Sequence, residues 1–182
     1  MARADDILDV LIVGAGITGV ALGLALRQAG LRVRVLDHAP LPHFQPVAGF
    51  DQRIYAMSRA SHKLLDAVGG WGRMDPARIV PIEAMAVQGD TQGQLQLTPP
   101  AGGAVPLGYI AESGAMLEGL LLTVRERAPD LIEAPVTLEA VTTQADHVAV
   151  TASRVTGASM RSGARSRTVR SRPSSMAPDS AI

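Results

Sequence analysis

The sequence contains no cysteine. That excludes a disulfide framework, a Cys-ligated zinc or iron–sulfur site and thiol catalysis. The four histidines, at 38, 43, 62 and 147, are scattered without metal-ligand spacing, so no metal site is expected. A long apolar run is also lacking. The longest uncharged stretch, Val10 to Leu26, has 17 residues and includes Gly14, Gly16, Gly19 and Gly23. A spanning helix needs about 20 predominantly apolar residues. Asp5, Asp6 and Asp9 precede the stretch, where a signal peptide carries basic residues. These absences predict a cytoplasmic chain with no membrane span. A peripheral membrane association would leave no trace in such patterns.

What is present suits a folded chain. The 182 residues are 47% hydrophobic, ample for the core of one domain with an appendage and too apolar for a wholly disordered chain. The 17 basic and 17 acidic side chains are unevenly spread. Residues 152–182 hold six arginines and one acid, Asp179, which leaves 1–151 with 11 basic and 16 acidic residues, a net of −5. A mildly acidic body argues against a nucleic-acid-binding surface there.

Asp9–Val13 (DVLIV) is a short, branched, apolar run closed by glycine. That is the pattern of a strand buried on both faces, as in a parallel sheet. Gly16–Ala29 reads as a helix packed closely on that sheet, and Gly30 stops it. Leu31–Asp37 (LRVRVLD) alternates as a second strand. Strand, helix and strand form a βαβ unit, right-handed almost without exception.

The turn between the first strand and the helix is Gly14-Ala15-Gly16-Ile17-Thr18-Gly19, a G-x-G-x-x-G. Alone the pattern is weak, but here a strand precedes it, a helix follows, and Asp37 ends the next strand, 18 residues beyond Gly19. Gly14 permits the tight turn, Gly16 lets a pyrophosphate approach the backbone, and Gly19 lets helix and strand pack closely. The helix start offers free N–H groups and roughly half a positive charge to phosphates. The Asp37 carboxylate can accept both ribose hydroxyls of an adenosine, and its charge repels a 2′-phosphate. FAD or NAD is therefore expected rather than NADP.

Beyond the unit, residues 38–57 contain Pro40, Pro42, Pro46 and Gly49 and are predicted as a long loop. Ser58 or Ser61 can cap a helix to about Val68, with Leu64, Leu65 and Val68 inward. Ala84–Gln88 and Gln94–Thr98 flank a Gly/Asp turn as a hairpin. Val105–Ala111 is a further strand. Ser113 can cap a helix over Gly114–Ala128, with Met116, Leu117, Leu120, Leu121 and Val124 as its apolar stripe. Leu131–Thr142 and His147–Thr151 read as strands. At about Ala152 the periodicity stops, and the last 31 residues, with eight serines and six arginines, are predicted to be disordered.

Three segments narrow the choice of cofactor. They are Gly49-Phe-Asp-Gln-Arg-Ile-Tyr-Ala-Met57 with the helix after it, Gly70-Trp71, and Pro106-Leu-Gly-Tyr-Ile-Ala-Glu112 before a helix. In order and spacing they resemble the flavin-dependent aromatic hydroxylases, most closely the ubiquinone-biosynthesis branch (UbiH/UbiF type). That branch carries an Asp-x-Arg-x-x-Ala-Leu segment, a Gly-x-Trp and a Leu-Gly-Tyr-Ile-Val-Glu segment. The resemblance covers about Asp9 to Thr151. It implies an α/β, Rossmann-like FAD-binding domain with a parallel or mixed sheet over 1–151, here incomplete, and a disordered Arg/Ser-rich tail over 152–182.

In function the resemblance implies a monooxygenase. NAD(P)H reduces bound FAD, which then activates O2 for transfer to an electron-rich aromatic ring. The implied substrate is a small aromatic or prenylated quinone precursor. Peripheral membrane association and partner subunits of a ubiquinone-biosynthesis complex are compatible with it. By this match Gly14, Ala15, Gly16, Ile17, Thr18, Gly19 and Asp37 hold the adenosine diphosphate half of FAD. Arg53 contacts the cofactor from the loop, its fork of donors suiting phosphate or ribose oxygens; the alternative is an ordinary surface arginine. Glu112 either lies on the cofactor side or complements a helix dipole. No catalytic residue is assigned.

The sequence also departs from the pattern. Glu112-Ser113-Gly114 stands where the family usually has Glu-Asn-Arg. The family's Asp-Gly motif after the strands ending near Thr151, and its later Gly-Asp motif, do not follow here. Weak or absent FAD retention and no hydroxylation by this chain alone are therefore expected. The abrupt change near Ala152 also suggests a shifted reading frame. A nucleotide sequence with no Asp-Gly continuation in another frame would end that idea. A basic tail that binds an anionic surface is the competing account of 152–182. Two other functions fit the glycine turn: an NAD-binding dehydrogenase or reductase domain, which should show more βαβ repeats, and a non-enzymatic binding module.

Overall fold

A computed structural model of the chain describes residues 7–42, 49–90, 93–99, 105–145, 147–154 and 167–171. The chain divides into two units, Met1–Pro42 with Ala128–Ile182, and His43–Arg127.

The first unit is built on the βαβ pattern. After the short strand β1 (Ile7–Leu8), strand β2 (Val10–Val13) leads through the glycine turn into helix α1 (Ile17–Gln28) and strand β3 (Val33–Leu36). β2 and β3 pair in parallel, Val10 opposite Val33 and Val13 opposite Leu36. The helix lies so close to the sheet that a Cβ at Gly23 would sit 2.9 Å from Val35 Cγ2 and 3.3 Å from Leu131 Cδ1. Val20, Leu24, Val33, Val35 and Leu131 are buried in the resulting core. The strand prediction was too strong in one respect: β2 is only half-buried, and Val13 is 64% exposed. Gly30, at a φ of +83°, ends the helix as the sequence predicts.

Strand β9 (Ile132–Glu133) adds to β3 in parallel, and β10 (Val136–Thr143) and β11 (Val148–Arg154) form an antiparallel pair. The predicted single strand over 131–142 is thus two strands. Between them lies Pro135, preceded by a cis peptide bond; proline has no N–H to give a ladder. The tail boundary also needs correction. Ala152 is a core residue, buried with Leu36 and Val136, and β11 runs on to Arg154. Strand β12 (Arg167–Ser171) then joins β11 antiparallel and β1 in parallel. Its sequence, RTVRS, shows no apolar alternation; pairing with neighbouring strands supplies what local pattern does not. The remainder of the predicted tail, 155–166 and 172–182, lies outside the described residues.

The second unit holds an antiparallel sheet in the order β4 (Ile54–Ser58), β8 (Gly108–Glu112), β5 (Ile79–Ile82). The predicted loop over 38–57 therefore ends earlier than expected, since Ile54–Met57 is strand; residues 43–48 lie outside the described residues. Helix α2 (Arg59–Ala67) follows, and the Ser58 hydroxyl accepts from the Ser61 N–H at 3.1 Å. That is the predicted N-cap. Leu65 and Val68 are buried, but Leu64 is 48% exposed rather than inward. A 3-10 turn over Trp71–Arg73 and another over Pro76–Arg78 lead into β5; the sequence reading missed the second turn and β5. Strands β6 (Met85–Gln88) and β7 (Gln94–Leu97) form the predicted hairpin, its tip at 91–92 lying outside the described residues.

Helix α3 (Ser113–Arg127) buries Met116, Leu120, Leu121 and Val124 of its predicted stripe. It approaches Gly70 so closely that a Cβ at Gly119 would overlap the Gly70 carbonyl. The buried Thr123 hydroxyl is satisfied by the carbonyls of Gly69, at 2.9 Å, and Gly119, at 3.0 Å.

Candidate functional site

In the first unit the sequence motif becomes a specific geometry. Gly14 has a φ of +107°, a backbone that side-chain-bearing residues rarely adopt. A Cβ at Gly19 would fall on the Gly14 carbonyl oxygen and lie 3.4 Å from Ile12 Cγ2, so only glycine lets the helix start against the strand end. At Gly16 the opposite holds: a Cβ would meet nothing within 4 Å. Packing does not demand that glycine. Gly16 is also the N-cap of α1, offers no side chain to the helix, and is followed by no acid in the first turn. The amides of Ile17, Thr18 and Gly19 therefore stand at a helix start without a side-chain cap.

Asp37 leaves β3 and turns its carboxylate to this place. Oδ2 accepts from the Ala15 N–H at 2.6 Å and Oδ1 from the Ala39 N–H at 2.9 Å. His38 Nδ1 lies 3.4 Å from Oδ1. Partial burial pushes the carboxyl up, but the amides of Ala39 and Ala15 outweigh it and hold the group below the usual carboxylate range. An ionised carboxylate thus faces a turn of open amides. Each of its oxygens has a lone pair left for a hydroxyl donor. The arrangement fits a ligand with a diphosphate joined to a ribose: room at Gly16, partial positive charge at α1, and an acceptor for the sugar.

The second unit holds Arg53 and Glu112, and they do different things. The Arg53 side chain is exposed, and among the described residues no hydrogen bond or ion pair engages its guanidinium. Its backbone is fixed, with its N–H donating to Asp51 Oδ1 at 2.9 Å and its carbonyl accepting from Ser113 N at 2.9 Å. Glu112 is buried and accepts from Arg78 Nη1 at 3.1 Å. The same guanidinium donates to the Gly49 carbonyl and lies 5.3 Å from the centre of the Phe50 ring. Glu112 is thus the partner of Arg78, not of Arg53.

Two residues of this network escaped the sequence reading. Asp51 was visible as the first residue of the Asp-x-Arg segment. It accepts from Ser113 Oγ at 2.9 Å and Gly114 N at 3.1 Å, and so caps α3 from 62 residues away. The predicted cap, Ser113, is instead the first residue of the helix and a donor to that cap. Arg78 gave no sequence signal, because its partners Gly49, Phe50 and Glu112 come from two segments distant from it in the chain. Among the described residues no group of three His, Asp or Glu side chains could hold a metal ion, and no helix is long and apolar enough to cross a membrane.

Comparison with known proteins agrees with the geometry of the turn. Residues 7–172 match the FAD binding domain family. Over 161 residues the chain is 30% identical to the ubiquinone hydroxylase UbiL of Rhodospirillum rubrum, covering 82% of this chain and 34% of that protein. Over 73 residues it is 40% identical to the 3-demethoxyubiquinol 3-hydroxylase of Escherichia coli, covering 40% of this chain and 19% of that one. The chain thus spans about a third or less of these relatives' lengths. Among solved structures, the p-nitrophenol 4-monooxygenase PnpA of Pseudomonas putida superposes with a TM-score of 0.63 at 18% identity, covering 91% of this chain and 39% of that one. The aromatic hydroxylase CabE gives a TM-score of 0.63 at 19% identity, covering 91% and 29%. At these identities the two structures share the fold.

Proposed function

Because this chain belongs to the FAD binding domain family, we propose that it forms the FAD-binding part of a hydroxylase acting on an aromatic, ubiquinone-precursor-like ring, with NAD(P)H and O2 as co-substrates. The observation that carries the reading is the bare start of α1 faced by the Asp37 carboxylate. In this reading the amides of Ile17, Thr18 and Gly19 hold the diphosphate, where the helix carries its partial positive charge. Gly14 and Gly19 shape the turn, and Gly16 gives the diphosphate room. Asp37, already oriented by Ala15 and Ala39, accepts from the ribose hydroxyls. When bound, FAD supplies electron transfer from NAD(P)H and activation of O2. Arg53 offers its exposed guanidinium to an oxygen of the cofactor. We assign Glu112 to holding Arg78 rather than to the cofactor, since that contact already occupies it. The substrate class rests on the two ubiquinone-pathway relatives.

Titrating the purified chain separately with FAD and NADH tests the cofactor. FAD should bind the more tightly, and Asp37→Ala should weaken it about tenfold, the scale of a hydrogen bond to a charged acceptor. Preferential binding of NADH would overturn the flavin reading. NAD(P)H oxidation stimulated by a ubiquinone-precursor phenol tests the reaction. Flavin binding without that stimulation would limit this chain's part to holding the cofactor.

A further inference from the structure

Asp51 is the hub of the segment that carries Arg53. One carboxylate oxygen accepts from the Arg53 N–H at 2.9 Å. The other accepts from Ser113 Oγ at 2.9 Å and Gly114 N at 3.1 Å. The loop is closed by a fourth bond, from Ser113 N to the Arg53 carbonyl at 2.9 Å. The Arg53 peptide is therefore held from both sides, and every holding group belongs to Asp51 or to the first turn of α3. The residue types at 113 and 114 suit this clamp. Ser113 supplies a hydroxyl donor. A Cβ at Gly114 would lie only 3.3 Å from Asp51 Oδ2, so a larger residue there would press on the carboxylate. These two positions are where the sequence departs from the Glu-Asn-Arg pattern it otherwise resembles. The other end of the segment is pinned by Arg78, through the Gly49 carbonyl and the Phe50 ring. The amides of Arg53 and Gly114 and the Ser113 hydroxyl hold the Asp51 carboxyl below the usual carboxylate range.

We propose that Asp51 is a positioning residue, whose carboxylate clamps the Arg53 backbone onto the first turn of α3 and so sets where the Arg53 guanidinium is presented to the cofactor. The proposal rests on the reading that Arg53 contacts FAD. A helix cap alone would not need the Arg53 arm. A cofactor arginine on an unclamped loop would lose binding strength to the cost of ordering it.

The experiment combines amide hydrogen exchange on the apo chain with FAD titration of Asp51→Ala, Arg53→Ala and the double variant. In Asp51→Ala, exchange at Arg53 and Gly114 should rise at least about tenfold, while amides of β2, α1 and β3 stay unchanged. Asp51→Ala should weaken FAD about tenfold, and Arg53→Ala at least as much. The double variant should bind FAD within about twofold of Arg53→Ala alone, because coupled residues are not additive. Asp51→Asn, which keeps an acceptor for Arg53 but loses the ionised one for Gly114, should preserve Arg53 protection and deprotect Gly114. It serves as the second probe if Asp51→Ala folds poorly. Unchanged exchange at Arg53, or losses that multiply in the double variant, would overturn the clamp. Wild-type FAD affinity in Arg53→Ala would overturn the cofactor contact and the proposal with it. A wild-type chain that binds no FAD would instead overturn the function proposed above, and the exchange data would then decide the clamp by themselves.

Discussion

Helices α1 and α3 both begin where a strand ends, yet their first turns are left in opposite states. At α3 a carboxylate from 62 residues away takes the Ser113 hydroxyl and the Gly114 amide. At α1 the N-cap is glycine, no side chain caps the turn, and no acid stands in it. The acid that comes nearest, Asp37, bonds to Ala15, ahead of the helix. A glycine N-cap forgoes only a few tenths of a kcal/mol relative to a side-chain cap. The second unit recovers that stabilisation at both α2 and α3; the first leaves it unclaimed at the one helix preceded by G-x-G-x-x-G. The difference separates a helix start whose amides are left without a side-chain cap from two that are capped.

The contrast can be broken most severely at Gly19. Gly19→Ala places a methyl group on the Gly14 carbonyl and should destabilise the first unit by about 3 kcal/mol, as overpacking of a tight contact does. Thermal unfolding followed by circular dichroism measures this, and a melting temperature like that of the parent would remove the packing argument. In the second unit Arg78→Met leaves the buried Glu112 carboxylate without this partner. A loss of about 2 kcal/mol is expected, less than for a fully buried pair because Arg78 is partly exposed. Urea titration of this variant should show it, with FAD affinity falling only as far as the 49–53 segment loosens.

Gly16→Ala sharpens the comparison. Its methyl group meets no protein atom, so stability should fall by less than about 1 kcal/mol, the N-cap preference for glycine over alanine, while FAD affinity should fall about tenfold if a phosphate occupies that space. Equal effects of Gly16→Ala and Gly19→Ala on stability would show that the two glycines do the same job. The smallest effect concerns Asp9, whose carboxyl is lowered from 3.8 to about 2, foremost by the side-chain hydrogen bond from Arg32. A depressed folded-state value stabilises above the unfolded value and is lost as pH falls through the folded one. Asp9→Asn should therefore lower the melting temperature slightly near neutrality, and that difference from the parent should vanish as pH falls from about 4 to about 2, which makes the acid-side decline of the variant shallower.

Much of the first unit was legible because its determinants are local. A branched apolar run, a glycine turn, a helix and an alternating strand follow one another within residues 9–37, and each declares itself by composition and period. The stripe of α3 and the Ser58 cap were legible for the same reason. The misplaced edges have a common cause. Ala152 looked like the first residue of a tail because no apolar period follows it, yet it is buried by Leu36 and Val136 from distant positions. Strand β5 contains Pro81, which argues against a strand, and it forms because β8 lies alongside.

Sequence alone therefore determined the turn, the acid at 37 and the kind of ligand they suit, because glycine's conformational freedom and a carboxylate's charge belong to the residues themselves. Tertiary structure decided which helix start stays open, that Glu112 goes to Arg78, and that Asp51 rather than Ser113 caps α3. Those choices depend on hydrogen-bond partners brought together from positions dozens of residues apart, and hydrogen bonds are specified by distance and direction, not by order along the chain.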